Sequence, residues 1–387
     1  MDFSLGRAHE MLRNMVREYA EKEVAPKVES YSQEGDDFPY ETLKRCAQIG
    51  LIGLLVPKKY GGNEMGYLAR MIAIEEISKV YAGLGANVRG WSLVPHLLTV
   101  AGTEEQKQKY LPALCRGEIQ GSIASTEATS GSDFGTFPVE VAKDGNDYII
   151  NCRKVMISRA PVADVFGILV RAEKGYSAFL IEKTMPGLQT GHREKLISTM
   201  SRNSPLGDLV ITNCRVSKDY LVGQEGKGIG PVLSTIGGAG RTGGAGVCLG
   251  IAQAAFDIAL KYAKERILYG KPLYDLQSIK FMLADMAMRI QCTKFLCYSV
   301  SWMQDQGKKS VEVNKETAMA KLYASETAMN NTLKAIEILG GYGTAPEFGL
   351  IQRLKSALDM ITAAGSNNVL RRNIGDAVVD NVQDIVN

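Results

Sequence analysis

The spacing of apolar residues divides the chain into three segments. From residue 1 to 118, apolar positions recur every three to four residues, and the run YLARMIAIEEISKVYAGLG at 67–85 keeps this spacing. An earlier stripe of the same kind consists of Met11, Met15, Tyr19 and Val24. A period near 3.6 is typical of amphipathic helices, and strand-like alternation is nearly absent here. We therefore predict an N-terminal α-helical domain at 1–118.

The pattern changes at about residue 119, where short β-branched runs alternate with turns. Examples up to residue 227 are DYIINCRKVMIS, VFGILVRA, YSAFLIEK and LVITNCRV. Such runs predict a central β domain at 119–227. From 228 to 387 long helical patterns return, at 250–267, 277–305 and 313–339. Helices this long and apolar need other helices to cover them, so we expect an α+β protein whose C-terminal domain is a helical bundle.

Composition excludes several classes of function. The chain has 45 Lys and Arg against 42 Asp and Glu, a formal net charge of +3, and no basic run that would bind nucleic acid. Its seven cysteines are scattered and form no C-x-x-C pair, so neither a disulfide framework nor a metal site is expected. The N-terminus lacks a continuous apolar segment, and no uninterrupted run of about 18 apolar residues occurs. We expect a cytoplasmic protein without a membrane span.

Two glycine-rich stretches and one polar loop are candidate ligand sites. The segment GGAGRTGGAG at 237–246 contains a formal G-x-G-x-x-G, but the sequence before it reads as a helix, so we interpret its glycines as sites of close packing or ligand approach. The loop ASTEATSGSDFGT at 124–136 concentrates hydroxyl and backbone donors that suit a phosphate-bearing cofactor. A second glycine turn follows within 337–359.

These features occur together with four landmarks in a fixed order. The landmarks are T-E-x-x-x-G-S-D at 126–133, K-x-x-I-S at 154–158, R-x-x-Y-G-x-x-L at 266–273 and L-G-G-x-G at 339–343. With them, nearly the whole chain resembles the acyl-CoA dehydrogenase family of flavoproteins. The resemblance implies a helical N-terminal domain, a central β domain, a C-terminal four-helix bundle, and FAD bound between the last two domains and across a subunit interface. It also implies a homotetramer that passes electrons to an electron-transferring flavoprotein.

The resemblance assigns roles residue by residue. Ser125 and Thr126 would contact the flavin ring, Ser132 would lie near the pyrophosphate and the acyl-CoA, and Met156 and Ser158 would line the flavin. The residues that would reach the FAD of the neighbouring subunit are Arg266, Tyr269, Gln277, Glu337, Gly341, Ser366 and Asn368. The residues that would line the acyl-CoA site are Arg89, Trp91, Leu93, Ser132, Arg241, Ala364 and Gly365.

Two positions depart from the family pattern around the flavin. Met156 stands where tryptophan is common, so a flexible thioether replaces a flat aromatic wall. Glu337 stands where glutamine is common, which adds a negative charge near the adenine end. We still expect FAD to bind.

The larger departure concerns the catalytic base. Members of the family remove a substrate proton with a glutamate whose position is occupied here by Ala364, or, in one branch, by Gly240. Three interpretations follow. The protein is an acyl-CoA oxidoreductase whose proton acceptor lies elsewhere, with space at Ala363 and Ala364 for an alicyclic or branched acyl group. It is a base-free lyase acting on a β-sulfinate or β-carboxylate held by Arg89. Or it is a non-catalytic acyl-CoA- or flavin-binding protein. The first is our leading hypothesis.

Overall fold

A computed structural model gives the architecture. The structure describes residues 4–32, 38–133, 137–198, 200 and 203–380. Its elements follow the order helices, sheet, helices. The fold class predicted from the sequence is thereby confirmed.

The N-terminal domain consists of helices that bury their apolar faces against one another. Helix α7 shows how the sequence sets its bounds, since the Thr103 side chain accepts from the Gln106 amide in a capping box and Gly117 ends the helix in a left-handed conformation. The helices are α1 (Arg7–Tyr19), α2 (Val28–Ser32), α3 (Tyr40–Gln48), α4 (Gly66–Val80), α5 (Ala82–Trp91), α6 (Leu93–Ala101) and α7 (Glu104–Arg116).

The predicted stripe on the first helix is only partly right. Tyr19 and Val24 are buried, but Met11 is 62% exposed and Met15 is 38% exposed. The buried positions of α1 are Leu12, Val16 and Tyr19. The helical period predicted from the sequence is therefore correct. The buried face at the start of the helix is shifted by one residue from Met11 and Met15.

The central domain is a single eight-stranded sheet with the strand order β6-β7-β3-β2-β4-β5-β8 and β1 paired in parallel with β4. The strands are β1 (Gly121–Ala124), β2 (Val141–Asp144), β3 (Asp147–Ser158), β4 (Val165–Ala172), β5 (Gly175–Glu182), β6 (Leu188–Arg193), β7 (Leu206–Ser217) and β8 (Leu221–Val222). The register of β3 on β7 shifts between Lys154 and Ile157, so one extra residue of β3 is accommodated there. Such a bulge redirects a side chain. Here the bulge turns the Met156 side chain toward the cavity described below.

The C-terminal domain returns to long helices, and a short hairpin of β9 (Ile267–Leu268) and β10 (Lys271–Pro272) separates the second from the third. The helices are α8 (Ile229–Leu233), α9 (Arg241–Glu265), α10 (Gln277–Asp305), α11 (Asn314–Leu339), α12 (Leu350–Thr362) and α13 (Asn367–Asp380). The helical run Ile229–Glu265 is long and apolar enough to cross a membrane, but 72% of its most apolar window is buried inside the protein, as expected of a core helix.

The glycines of α9 serve close packing, as the sequence indicated. A Cβ at Gly250 would lie 2.6 Å from the Glu75 carbonyl oxygen and 2.7 Å from the Lys79 amide nitrogen, so α4 and α9 are in backbone contact there. A Cβ at Gly243 would meet the side chains of Arg70 and Arg89 within 3.0 Å. A helix precedes this stretch instead of a strand, so it is no dinucleotide fingerprint.

We predict that Gly250→Ala lowers the free energy of unfolding by about 1–3 kcal/mol, because the added methyl group forces α4 and α9 apart. Gly375→Ala is the matched control. Gly375 also lies inside a helix, but a Cβ there would meet nothing within 4 Å, so alanine should stabilise by about 0.5–1 kcal/mol. Thermal unfolding followed by circular dichroism checks both. Equal effects of the two substitutions would contradict the close approach.

Candidate active site

One large cavity lies where the three domains meet, and its volume is about 760 Å³. The N-terminal domain contributes its floor, including Arg89 of α5 and Leu93 at the start of α6. The sheet contributes the ends of β1 and β3, and the C-terminal domain contributes the start of α9, the end of α12 and part of α13. A volume in this range suits a ligand-sized molecule with a few polar groups along the wall.

The sheet side of the cavity joins two of the predicted flavin segments. Ser125 and Thr126 follow β1, Met156 and Ser158 end β3, and all four line the cavity. The segments are tied together because the Val155 amide donates to the Thr126 carbonyl over 2.9 Å. The resemblance placed these residues around one flavin ring, and the structure brings them together on one wall.

A buried ionic cluster fixes the same two segments. The Lys154 ammonium, fully buried, contacts the carboxylates of Glu127 and Glu140, the latter at 3.0 Å, and lies 4.5 Å from the ring centroid of Phe137. Two carboxylates share one ammonium in a dry site. Burial and then the hydrogen bond with Glu127 raise the pKa of Glu140 to about 8. Glu140 therefore holds a proton at neutral pH.

Three non-glycine residues of the cavity wall have left-handed backbone conformations. Met156 has φ 56°, Arg159 has φ 62° and Ala364 has φ 58°. This region costs a residue with a Cβ roughly 1–2 kcal/mol. Strained backbone concentrates at functional sites, where the surrounding structure holds it in place.

The turn at Ala364 is held by a buried lysine. Ala364 and Gly365 connect α12 to α13, and the Lys321 ammonium donates to the Gly365 carbonyl over 2.9 Å and to Asn367 Oδ1 over 3.1 Å. Burial, together with the charges of Arg89 and Arg241, lowers the pKa of Lys321 to about 8. The lysine keeps the Ala364 methyl group in the cavity wall, where the resemblance places a glutamate.

The second family position for the catalytic base, residue 240, lies beside a positively charged side chain. A Cβ at Gly240 would lie 4.0 Å from Arg89 Nη2, and Arg89 Nε donates to the Gly240 carbonyl over 2.9 Å. A guanidinium therefore stands beside the position that carries a carboxylate in one branch of the family. The local charge has the opposite sign.

One carboxylate lines the cavity among the described residues, and sequence reasoning missed it. Asp359 lies in the last turn of α12, and Ser198 Oγ donates to its Oδ2 over 2.5 Å. Asp359 and Ala363 are four residues apart, so they share one face of α12. The position of Asp359, four residues before Ala363, was the feature of the sequence that could have indicated this carboxylate.

Among the described residues, arginines line the cavity at four positions. Arg241 donates to Asn314 Oδ1 over 2.6 Å, and Arg372 lies at the exposed rim. Arg89 and Arg159 lie deeper. Sequence reasoning named Arg89 and Arg241 but missed Arg159, because nothing in the sequence shows where that side chain points.

The structure places most predicted site residues on the cavity wall, and some elsewhere. On the wall lie Arg89, Leu93, Ser125, Thr126, Ser132, Met156, Ser158, Arg241, Ala364, Gly365 and Ser366. Trp91 is not among them, since it is fully buried in the N-terminal core and its Nε1 donates to the Ile119 carbonyl. Asn368 lines an adjoining pocket of about 510 Å³.

Five of the seven residues expected to reach a neighbouring FAD lie apart from this chain's own cavity, whereas Ser366 lines it and Asn368 lines the adjoining pocket. All five are exposed, Tyr269 to 82%. They are Arg266, Tyr269, Gln277, Glu337 and Gly341. The charge of Glu337 is paired, because the Lys334 ammonium lies 2.7 Å from its carboxylate.

Comparison with known proteins identifies the family. The chain matches the models of the acyl-CoA dehydrogenase N-terminal domain at residues 6–118, middle domain at 122–214 and C-terminal domain at 226–379. The chain belongs to the acyl-CoA dehydrogenase family. It is an FAD-dependent oxidoreductase that acts on an acyl-CoA.

Relatives of this family cover nearly the whole chain. The short-chain specific acyl-CoA dehydrogenase of Clostridium acetobutylicum is 37% identical over 363 residues, 92% of this chain and 94% of the relative. The CarC subunit of the caffeyl-CoA reductase-Etf complex of Acetobacterium woodii is 33% identical over 346 residues, 88% and 90%. The structure of butyryl-CoA dehydrogenase from Megasphaera elsdenii superimposes with a TM-score of 0.93 at 30% identity and covers 98% of this chain and 100% of that chain.

The cavity fits the cofactor of the family. Its sheet wall offers hydroxyl groups at Ser125, Thr126 and Ser158, and a loop with Ser132 leads outward from it. Such donors match the carbonyl and ring-nitrogen acceptors of a flavin and the oxygens of a pyrophosphate.

We predict that Lys154→Met lowers the free energy of unfolding by about 3–5 kcal/mol, because it leaves the buried carboxylate of Glu127 without its cation. Lys143→Met on β2 is the control. The Lys143 ammonium lies 3.5 Å from Glu225 and its side chain is 55% exposed, so its loss should cost less than about 1 kcal/mol. Urea unfolding measures both, and similar losses would show that the cluster does not support the fold.

The raised pKa of Glu140 gives a prediction about pH. The folded protein keeps the Glu140 proton up to about pH 8, while the unfolded chain releases it near 4.5, so stability should fall as pH rises through this window. Glu140→Gln removes the titration but keeps a hydrogen-bonding group beside Lys154. The melting temperature of this variant should depend less on pH than that of the wild type between about pH 5 and pH 8. Parallel profiles would contradict the assignment.

Proposed function

We propose that this protein interconverts an acyl-CoA and its α,β-unsaturated counterpart, with a proton acceptor other than residues 364 and 240. Bound FAD supplies the hydride acceptor for the Cβ hydrogen. The protein must polarise the thioester carbonyl and handle the Cα proton. Both directions are represented among its relatives, one a dehydrogenase and one a reductase.

The observation that carries this proposal is the carboxylate of Asp359 on the cavity wall. It lies on the same helix as the turn of Ala364, five residues earlier, and the buried Ser198 hydroxyl orients it. A carboxylate is the ordinary acceptor for a thioester α-proton, and general-base help is worth roughly 10²- to 10⁴-fold. Asp359 is therefore our candidate for the acceptor.

His96, which follows the cavity-floor residues Arg89 and Leu93 in the sequence, is in the wrong environment to accept the proton. His96 is buried outside the cavity lining, with Nε2 2.7 Å from the Tyr67 hydroxyl and Nδ1 3.0 Å from the Thr235 hydroxyl. Burial and the charge of Arg70 lower its pKa to about 3. His96 is a structural residue that links α6 to the helical run before α9.

Space around Ala364 supports a bulky acyl group. The methyl groups of Ala363 and Ala364 line the cavity together with Leu93 and Ile236. A ring or a branched chain would fill the volume that a glutamate side chain would otherwise take. We propose an alicyclic or branched acyl-CoA as the substrate class on this ground.

We also propose a homotetramer in which the exposed residues around Tyr269 bind the FAD of another subunit. An apolar stripe supports it, because large side chains at intervals of seven residues are exposed along α10. They are Phe281 at 60%, Met288 at 60%, Phe295 at 47% and Trp302 at 56%. A seam with this spacing is suited to packing against another helix.

Two further proposals concern the protein's setting. A relative that forms part of a complex with an electron-transferring flavoprotein supports such a flavoprotein as the redox partner. The sequence features favour a cytoplasmic protein that binds no nucleic acid.

The first prediction concerns flavin reduction. Anaerobic mixing of the FAD-loaded protein with linear, branched and alicyclic acyl-CoAs should bleach the flavin absorbance with the bulkier classes. Asp359→Asn should slow the bleaching by about 10²- to 10⁴-fold while acyl-CoA still binds. Asp376→Asn, an exposed carboxylate on α13, is the control and should leave the rate unchanged.

The outcomes separate the three hypotheses. Bleaching that survives in Asp359→Asn would overturn the role of Asp359 but keep the oxidoreductase. Product formation without bleaching would identify base-free elimination. Neither bleaching nor product with any acyl-CoA would favour a binding protein.

The second prediction concerns assembly. Phe295→Glu places a charge in the apolar stripe of α10 and should lower the mass measured by light scattering and the FAD content together, since the cofactor site would need a second subunit. Lys280→Glu changes an exposed residue of the same helix outside the stripe and should affect neither. An unchanged mass in Phe295→Glu would rule out the stripe as the interface.

A further inference from the structure

Lys321 is a fully buried lysine that lies behind the cavity wall and does not line the cavity. It projects from α11, and its stem passes α9, where a Cβ at Gly244 would lie 3.9 Å from Lys321 Cγ. Its ammonium donates to the Gly365 carbonyl over 2.9 Å, to Asn367 Oδ1 over 3.1 Å and to the Ile361 carbonyl over 3.4 Å. An ammonium has three N–H donors, so these three oxygens use all of them.

The three hydrogen bonds reach both ends of the connection between α12 and α13. The Ile361 carbonyl belongs to the last turn of α12, and Asn367 is the first residue of α13. The four residues between the two helices, 363–366, all line the cavity. Ser325, one turn after Lys321 on α11, donates to the same Asn367 oxygen over 3.0 Å. Two side chains on one face of α11 therefore hold the whole connection.

The connection that Lys321 holds carries the groups closest to the proposed chemistry. Ala364 has φ 58°, a left-handed conformation that is unfavourable for a residue with a Cβ. Asp359, the proposed proton acceptor, lies in the last turn of α12 on the same wall of the cavity. Because the ammonium binds the helix end and the connection together, it fixes the positions of Asp359 and Ala364 relative to an acyl group.

The surroundings of the ammonium make its charge costly. All three of its hydrogen-bond partners are uncharged oxygens, and the titratable groups of the described chain that act on it are Arg89 of α5 and Arg241 and Cys248 of α9. Burial, with the two arginines, lowers the pKa of Lys321 to about 8 from the ordinary lysine value of 10.5. The ammonium therefore loses the proton that completes the three hydrogen bonds as pH rises through about 8.

We propose that Lys321 is a positioning residue of the active site, whose ammonium holds the connection between α12 and α13 in the geometry that the reaction needs and whose deprotonation releases it. The proposal rests on the proposed function and adds a pH-dependent control of the same site. A neutral amine has two N–H donors for three oxygens and no charge to strengthen the hydrogen bonds. A displacement of about 1 Å at a reacting group can cost about 10²-fold in rate, so a small movement of the connection is sufficient.

The kinetic test uses two variants. Lys321→Met removes the ammonium and keeps an apolar stem, whereas Lys321→Arg keeps a charge that does not titrate below about pH 12. With the linear, branched and alicyclic acyl-CoAs that bleach the wild-type flavin, Lys321→Met should lower the limiting rate of bleaching about 10- to 100-fold and change the Kd of the acyl-CoA less than about threefold. The wild-type rate should fall between about pH 7 and pH 9, and Lys321→Arg should remove this fall.

A second measurement needs no substrate. Hydrogen exchange of residues 359–370, followed by mass spectrometry in the absence of acyl-CoA, reports on the connection itself. Exchange at neutral pH should be about 10-fold faster in Lys321→Met than in the wild type, because hydrogen bonds to a charged group are lost. Lys261→Met is the matched control, since Lys261 is an exposed lysine of α9, and it should change neither the bleaching rate nor the exchange.

The outcomes distinguish the positioning role from the proposed function. An unchanged bleaching rate in Lys321→Met, or a Lys321→Arg profile that falls as the wild-type profile does, would overturn the positioning role and leave the proposed function intact. Equal exchange in the wild type and Lys321→Met would show that the lysine does not hold the connection, which also overturns the proposal. If Lys321→Met does not fold, the pH profile of Lys321→Arg decides alone. A wild-type flavin that no acyl-CoA bleaches would overturn the proposed function, and this proposal with it, before any variant is compared.

Discussion

The ammonium of Lys154 is the interaction on which the cofactor side of this protein depends. It lies in the sheet at the point where the loop after β1 meets the end of β3, and it draws Glu127 and Glu140 into one dry cluster. Removing Lys154 would leave the carboxylate of Glu127 buried without a cation. Because the cluster fixes the segments carrying Thr126 and Met156, the strained backbone at Met156 can persist. Fold stability and cofactor geometry are therefore coupled through one lysine.

At the cavity floor, in contrast to the sheet, the charged side chains have no ion-pair partner among the described residues. Charges in the sheet are matched inside the protein, whereas half-buried Arg89 and fully buried Arg159 have no counter-ion among the residues that the structure describes. Two glycines make room for these arginines. Gly90 and Gly243 lack the Cβ that would otherwise occupy the space that the arginines fill. The glycine-rich stretch at 237–246 therefore makes room for a charged side chain as well as allowing helices to pack closely.

Much of the architecture could be predicted because it depends on local pattern. Apolar period, β-branched runs and turn residues determine helices and strands, and four ordered landmarks identified the family. Trp91 and Asp359 show the limit. Trp91 was assigned to the substrate site but points into the core, and Asp359 was overlooked although it lines the cavity. The direction of a helix face depends on packing between domains, and the sequence pattern of a single helix does not contain it.

The absence of a glutamate at both usual positions is consistent with the charges around them. A Cβ at 240 would lie 4.0 Å from Arg89 Nη2, so a carboxylate on that side chain would stand beside the guanidinium and neutralise it. At 364 the alanine keeps a left-handed turn that Lys321 holds through the neighbouring carbonyl of Gly365. In the proposed function the carboxylate of Asp359 on α12 takes the place of both positions, and it lies on the cavity wall without forming an ion pair with Arg89.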